Sequence, residues 1–143
     1  MPTVVLDDHL LRDWLAGSDA ALRKAIGRSD VATTNLWYVR LCKSAAAQGG
    51  GTLLQTWSSP EREAVIAGLI ALPDGVTVIP MVQLAWRIGQ LIRDHSGLST
   101  LGAEAIAATE QLRARLLVSS RDDVPGIRAA ALAIGAKYAT LER

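Results

Sequence analysis

The chain has no phenylalanine, a single cysteine and almost no excess of one charge over the other. With Cys42 alone, no internal disulfide forms and a thiolate-bound metal cluster is excluded. A reducing, intracellular setting is the corresponding expectation. Fifteen basic residues against fourteen acidic ones leave a formal net charge of +1. No global field draws in nucleic acid, and only a local basic patch remains as a route to it. The start lacks a basic segment followed by an apolar core, so no signal peptide is expected. The apolar runs fall short of the roughly 20 residues that span a bilayer. These absences predict a cytoplasmic chain with no membrane partner. What is present is 143 residues, half of them hydrophobic and a fifth charged, which suits one globular domain with one core.

The chain is organised around its first residues. Thr3-Val4-Val5-Leu6 reads as a short buried strand, and Asp7 and Asp8 stand where it ends and a helix begins. In an open α/β sheet, ligands bind outside the carboxyl ends of the strands, so these acids are well placed for a site. Asp8 to Ala16 reads as a helix with Leu10, Leu11, Trp14 and Leu15 on one face, ended by Gly17. A second helix is expected over Asp19 to Ile26, then a β-favouring segment at Val31 to Thr33. Helices follow over Leu36 to Ala47 and from Ser59-Pro60 to about Leu72, joined across Gly49-Gly50-Gly51. Val76 to Ile79 is a strand. Val82 to His95 is the clearest helix, with Leu84, Ala85, Ile88, Leu91 and Ile92 as its apolar stripe. An alanine-rich helix over Thr100 to Ala114 is suited to pack close to a sheet. Arg115 to Ser119 is a strand, Val124 to Ile134 a helix, and Lys137 to Leu141 a last strand. Crossovers of this length predict a mainly parallel sheet of four or five strands with helices on both faces.

Several of these stretches carry a family resemblance. Val4-Val5-Leu6-Asp7 before an amphipathic helix resembles the start of a PIN domain. The passage from His95 through Leu98-Ser99-Thr100-Leu101-Gly102-Ala103-Glu104 to Ala108 is similar to the family's third-acid region. Leu116-Leu117-Val118-Ser119-Ser120-Arg121-Asp122-Asp123 resembles its fourth strand and following loop, and Ile134-Gly135-Ala136 its final helix end. The likeness runs along essentially the whole chain and is strongest to the small VapC toxins of toxin–antitoxin pairs. It implies a three-layer PIN-like α/β fold. In active members it implies a magnesium- or manganese-dependent ribonuclease, in which three or four acids at the strand ends hold the metal.

Carried over position by position, the acids are incomplete. Asp7 matches the first. Counting from Thr34, the second falls on Arg40, and the third falls on Gly102. The fourth lies near Ser120 or Arg121, with Asp122 or Asp123 one or two places further on. An arginine cannot lose its proton at working pH. One reading puts the Arg40 guanidinium against Asp7, and with it Asp122, filling a vacated metal site. The other leaves Arg40 as an ordinary surface residue of its helix. Asp8 is expected to serve as a helix cap and Glu104 as a first-turn acid favoured by the helix dipole. His9 and His95 are expected at the surface or its boundary. Trp14 is expected in the core, Trp86 beside a core stripe, and Trp57 just before a helix cap. Trp37 completes the set, and any of the four could stack a base or lie at a subunit interface. Arg12, Arg23, Lys24 and Arg28 cluster in the first helices, either as a solvated face or as a patch for RNA or an acidic partner.

The function these residues imply is that of a degenerate, non-catalytic PIN-like domain that binds protein or RNA and needs no cofactor. Its expected partners are a second copy in a homodimer, an antitoxin-like chain, or RNA. The alternative is an active VapC-type endoribonuclease using Asp7 with Asp122 or Asp123 and Mg or Mn. A third possibility is a scaffold whose site has drifted without a new role.

Overall fold

A computed structural model of the chain describes residues 2–143. Five strands form one all-parallel sheet in the order β3-β2-β1-β4-β5. They are β1 (Thr3–Leu6), β2 (Asp30–Thr34), β3 (Val76–Ile79), β4 (Arg115–Ser119) and β5 (Tyr138–Leu141). Eight α-helices connect them. These are α1 (Asp8–Ala16) and α2 (Ala20–Ile26), then α3 (Asn35–Ala46), α4 (Gly51–Leu54) and α5 (Ser59–Ile70), then α6 (Ala85–Asp94) and α7 (Thr100–Leu112), and finally α8 (Pro125–Ala133). The three-layer α/β architecture expected from the sequence is the one observed.

The layering follows from strand alternation. Successive side chains of a strand point to opposite faces, so each interior strand feeds two cores. Val4 and Leu6 of β1 join Leu117 of β4 in a cluster with Leu10, Leu11, Leu22, Leu54 and Val65. Val5 of the same strand joins Leu116 and Val118 on the other face, against Leu91, Ile106, Ile127 and Ala130. Helix α7 is buried from Gly102 to Thr109, eight consecutive residues. Its small side chains let it lie close against the sheet, with α6 and α8 flanking it. No helix among the described residues is long and apolar enough to cross a membrane.

Two expectations need correction. The glycine run does not simply join two helices. Gln48–Gly50 forms a 3-10 turn and Gly51 opens the short α4. Ser44 Oγ donates to the Gly50 carbonyl at 2.7 Å and accepts from Leu53 N at 2.8 Å. A Cβ on Gly51 would sit 2.7 Å from that hydroxyl, so the close approach requires glycine there. The helix expected from Val82 starts at Ala85, because Met81–Gln83 after Pro80 winds as a 3-10 turn. Trp86, placed beside the core stripe, points outward and is 82% exposed.

Candidate functional site

The strand order reverses between β1 and β4. From β1 the sheet runs through β2 to β3 on one side, and through β4 to β5 on the other. Such a switch point leaves a crevice at the carboxyl ends of the two strands, where open α/β sheets place ligands. The residues leaving β1 are Asp7, Asp8 and His9, and those leaving β4 are Ser120 to Asp122. One ligand-type atom each from Asp7, Asp8, His9 and Asp122 lies within 4.8 Å of the others.

Asp7 is fully buried, and both its oxygens are hydrogen-bonded. Its Oδ1 caps α1 by accepting from Leu10 N at 2.9 Å. Its Oδ2 accepts from Ser119 N at 2.8 Å and from Ser119 Oγ at 2.6 Å. The side chain therefore ties the end of β1 to the end of β4. Burial pushes its pKa up to about 7, the Ser119 bond opposes this, and the neighbouring Asp122 carboxyl adds to it.

The expected roles of Asp7 and Asp8 are exchanged. Asp7 is the cap, and Asp8, also fully buried, is the acid that faces the basic groups. At a helix start consecutive side chains diverge, so once Asp7 turns toward β4, Asp8 projects toward α3. Arg40 is brought to the site by α3, but its Nε lies 3.1 Å from Asp8 Oδ2 and not against Asp7. The approach is off the line of the N–H, which makes it an ion pair without a hydrogen bond. Arg40 Nη1 lies 3.6 Å from Asp122 Oδ1. His9 is no mere boundary residue. Its Nδ1 is 3.0 Å from Asp8 Oδ1 and 3.5 Å from Asp122 Oδ2.

These contacts set the charges. Burial alone would lower the His9 pKa, but Asp122, Asp8 and the Asp7 charge outweigh it and raise it to about 9. The imidazole is then a cation at neutral pH. Burial likewise pushes Asp122 upward, yet His9, Asp7, Asp8 and the Arg40 charge hold it well below the usual carboxylate range. Two internal cations, Arg40 and His9, thus face this acidic cluster.

A pH dependence follows. A group whose folded pKa is raised contributes stability that is fully present below its unfolded pKa and is lost as pH rises through the folded value. For His9 that window runs from about 6.5 to about 9. The melting temperature is expected to fall across it, and His9→Gln should flatten the fall. A wild-type profile flat from pH 6.5 to 9.5 would refute the half-buried imidazolium.

The remaining candidates are spread out. Asp123 lies outside the cluster, bound by Arg128 Nη2 at 2.6 Å and by the Tyr138 hydroxyl at 2.7 Å. Glu104 does not serve its own helix. Fully buried, it accepts from Asn35 N at 3.1 Å and Leu36 N at 3.0 Å, closing the start of α3 with the Thr34 cap. At Gly102 an added Cβ would lie 2.9 Å from Leu98 Cδ1 and 3.0 Å from Ile127 Cγ1. Arg12 stacks on Trp57 at 4.7 Å, pairs with Asp13 and donates to Leu53 O, so it is occupied internally. Arg23 donates to Gly17 O. Lys24 and Arg28 are exposed. Trp14 packs partly buried against the core, as expected.

The residues present do not fit a hard dication as they stand. Asp7 has spent both oxygens on the fold, and Arg40 with His9 already neutralises Asp8 and Asp122. No family model matches the chain, and no curated protein matches it.

Proposed function

We propose that this chain is a cytoplasmic, non-catalytic PIN-like domain of the toxin–antitoxin type that works by binding another protein. The observation that carries the reading is the Arg40 side chain, held 3.1 Å from Asp8 and 3.6 Å from Asp122 at the strand-end crevice. A cation fixed in that place opposes entry of a second cation and stabilises acids that would otherwise repel one another. Support for a protein partner comes from the groove between α3 and α5. Ile66 and the 82% exposed Ile70 stand beside Tyr38 and Cys42 there. Exposed apolar groups gathered in one place are typical of protein contacts. A second copy of this chain is the simplest occupant, and an antitoxin-like chain is the other.

The alternative, an active Mg- or Mn-dependent ribonuclease, is favoured by one observation. Asp8 Oδ2 and Asp122 Oδ2 are buried without a hydrogen bond. Arg40 separates the two readings. Its side chain is 44% exposed, so screening reduces the ion pairs to about 1 kcal/mol of stability. Arg40→Ala is expected to cost about that much, and Arg40→Glu about twice as much through crowding of like charges. Neither wild type nor Arg40→Ala should cut RNA with Mg or Mn. Metal-dependent cutting by wild type that is lost in Asp122→Asn would establish the ribonuclease instead.

A further inference from the structure

Helix α6 carries two apolar faces. The inner one packs Leu84, Ile88 and Leu91 into the core. On the outer one Ala85, Trp86, Gly89, Ile92 and Arg93 are all exposed, and Val82, just before the helix, is 83% exposed. At about 100° per residue these positions share one side of the helix, opposite the buried stripe. A surface helix with no partner presents charged and polar groups on that side. Here an exposed tryptophan stands between a valine and an isoleucine.

Gly89 sits at the centre of this face, in the middle of α6. Glycine is the poorest helix former after proline. A Cβ at 89 would meet no atom of the described residues within 4 Å, so nothing in the fold calls for glycine there. A helix packed against the face from outside does call for it, because the spacing of two helix axes is set by the side chains between them.

We infer that α6 pairs antiparallel with α6 of a second copy of this chain, about a two-fold axis beside Gly89. Such an axis reverses the helix direction and keeps the two edges of the stripe apart. Trp86 and Arg93 share one edge, and Ala85 and Ile92 the other. Positions 86 and 92 are equidistant from 89, and so are 85 and 93. Trp86 of one copy therefore lies level, within about 1.5 Å, with Arg93 of the other, and Ala85 likewise with Ile92. A guanidinium meets an aromatic face twice in the pair, and a small side chain meets a branched one twice. Arg93 donates from Nε to Asp94 at 2.8 Å, a bond in the guanidinium plane that leaves its flat face free to stack. A parallel pairing would set Arg93 against Arg93, like charge on like charge. Helix α6 packs into the cluster on one face of the sheet and α5 into the cluster on the other. The contact is thus separate from the groove between α3 and α5, and the inference does not rest on the reading given there.

Sedimentation velocity of the full chain over a concentration series tests it. A dimer with a dissociation constant in the micromolar range is expected. Trp86→Arg, which brings like charges together, and Gly89→Leu should each weaken it about tenfold or more. At dilutions where the chain is monomeric, Gly89→Leu should melt no lower than wild type, because leucine is the better helix former at an open position. A folding defect therefore cannot mimic the loss. Arg93→Glu added to Trp86→Arg should restore part of the affinity, since the antiparallel register sets 86 against 93. In a Cys42→Ala background, Gly89→Cys should form an interchain disulfide on mild oxidation and Ile92→Cys should not, because the axis brings only position 89 against itself. Ile70→Glu, in the groove between α3 and α5, should leave the dimer intact. A monomer at about 100 µM overturns the proposal. So does a dimer that Trp86→Arg and Gly89→Leu leave unchanged, or one that Ile70→Glu alone separates.

Discussion

Asp7→Ala is expected to lower the folding free energy by about 3 kcal/mol, the sum of a lost helix cap, about 1 kcal/mol, and a stranded buried donor, about 2 kcal/mol. The cap bonds Leu10 N, and the donor is Ser119 N, which has the Asp7 carboxylate as its partner. Asp7→Asn keeps an oxygen for one of these but turns an amide N–H₂ toward the donors on the other side. It should cost about 1–2 kcal/mol. Urea unfolding reads both, as a lower midpoint with an unchanged slope. The order matters more than the sizes. In a metal enzyme, Asp7→Asn would remove activity at little structural cost. Here it weakens the joint between β1 and β4. An Asp7→Ala variant within about 0.5 kcal/mol of wild type would show that the joint carries no weight.

Glu104→Ala is expected to cost about 3–4 kcal/mol. Two amides at the start of α3 lose a charged acceptor, at roughly 1.5 kcal/mol each, and a fully buried side chain leaves a void behind it. Glu104→Gln retains one oxygen and loses the favourable charge at the helix N-terminus, so about 1–2 kcal/mol is expected. The effect should be local as well as global. Amide hydrogen exchange at Asn35 and Leu36 should accelerate by more than the overall loss of stability predicts. Uniform acceleration across α3 and α7 would count against the specific cap. Because α3 carries Arg40, a frayed start should also loosen the Arg40 ion pairs with Asp8 and Asp122.

Much of the architecture was readable because it depends on local pattern. The runs Val4 to Leu6, Val76 to Ile79 and Leu116 to Val118 are short, apolar and bounded by turn residues, and each is a strand. Counting from Thr34 left Arg40 as either a strand-end residue or an ordinary surface arginine, and it lies at the strand ends. Its partner was not readable. Whether Asp7 or Asp8 faces α3 depends on which of them caps α1, and that is settled by Ser119, more than a hundred residues away. His9 escaped for the same reason, since its neighbour Asp122 arrives from β4. The task of Glu104 needs the packing of α7 against the start of α3, which no periodicity encodes.

Gly102 bears on where this chain can go. A Cβ at this position would meet Leu98 Cδ1 at 2.9 Å and Ile127 Cγ1 at 3.0 Å, so even a methyl group needs a neighbouring side chain to shift. Both are core residues, and shrinking either one to admit a carboxylate would open the packing beneath α7. Any lineage carrying this arrangement faces a destabilised intermediate before a new acid at 102 could be tried. A larger side chain at 102 therefore calls for a compensating change at Leu98 or Ile127. Selection on this chain is therefore expected to explore its surfaces, where single substitutions are cheap.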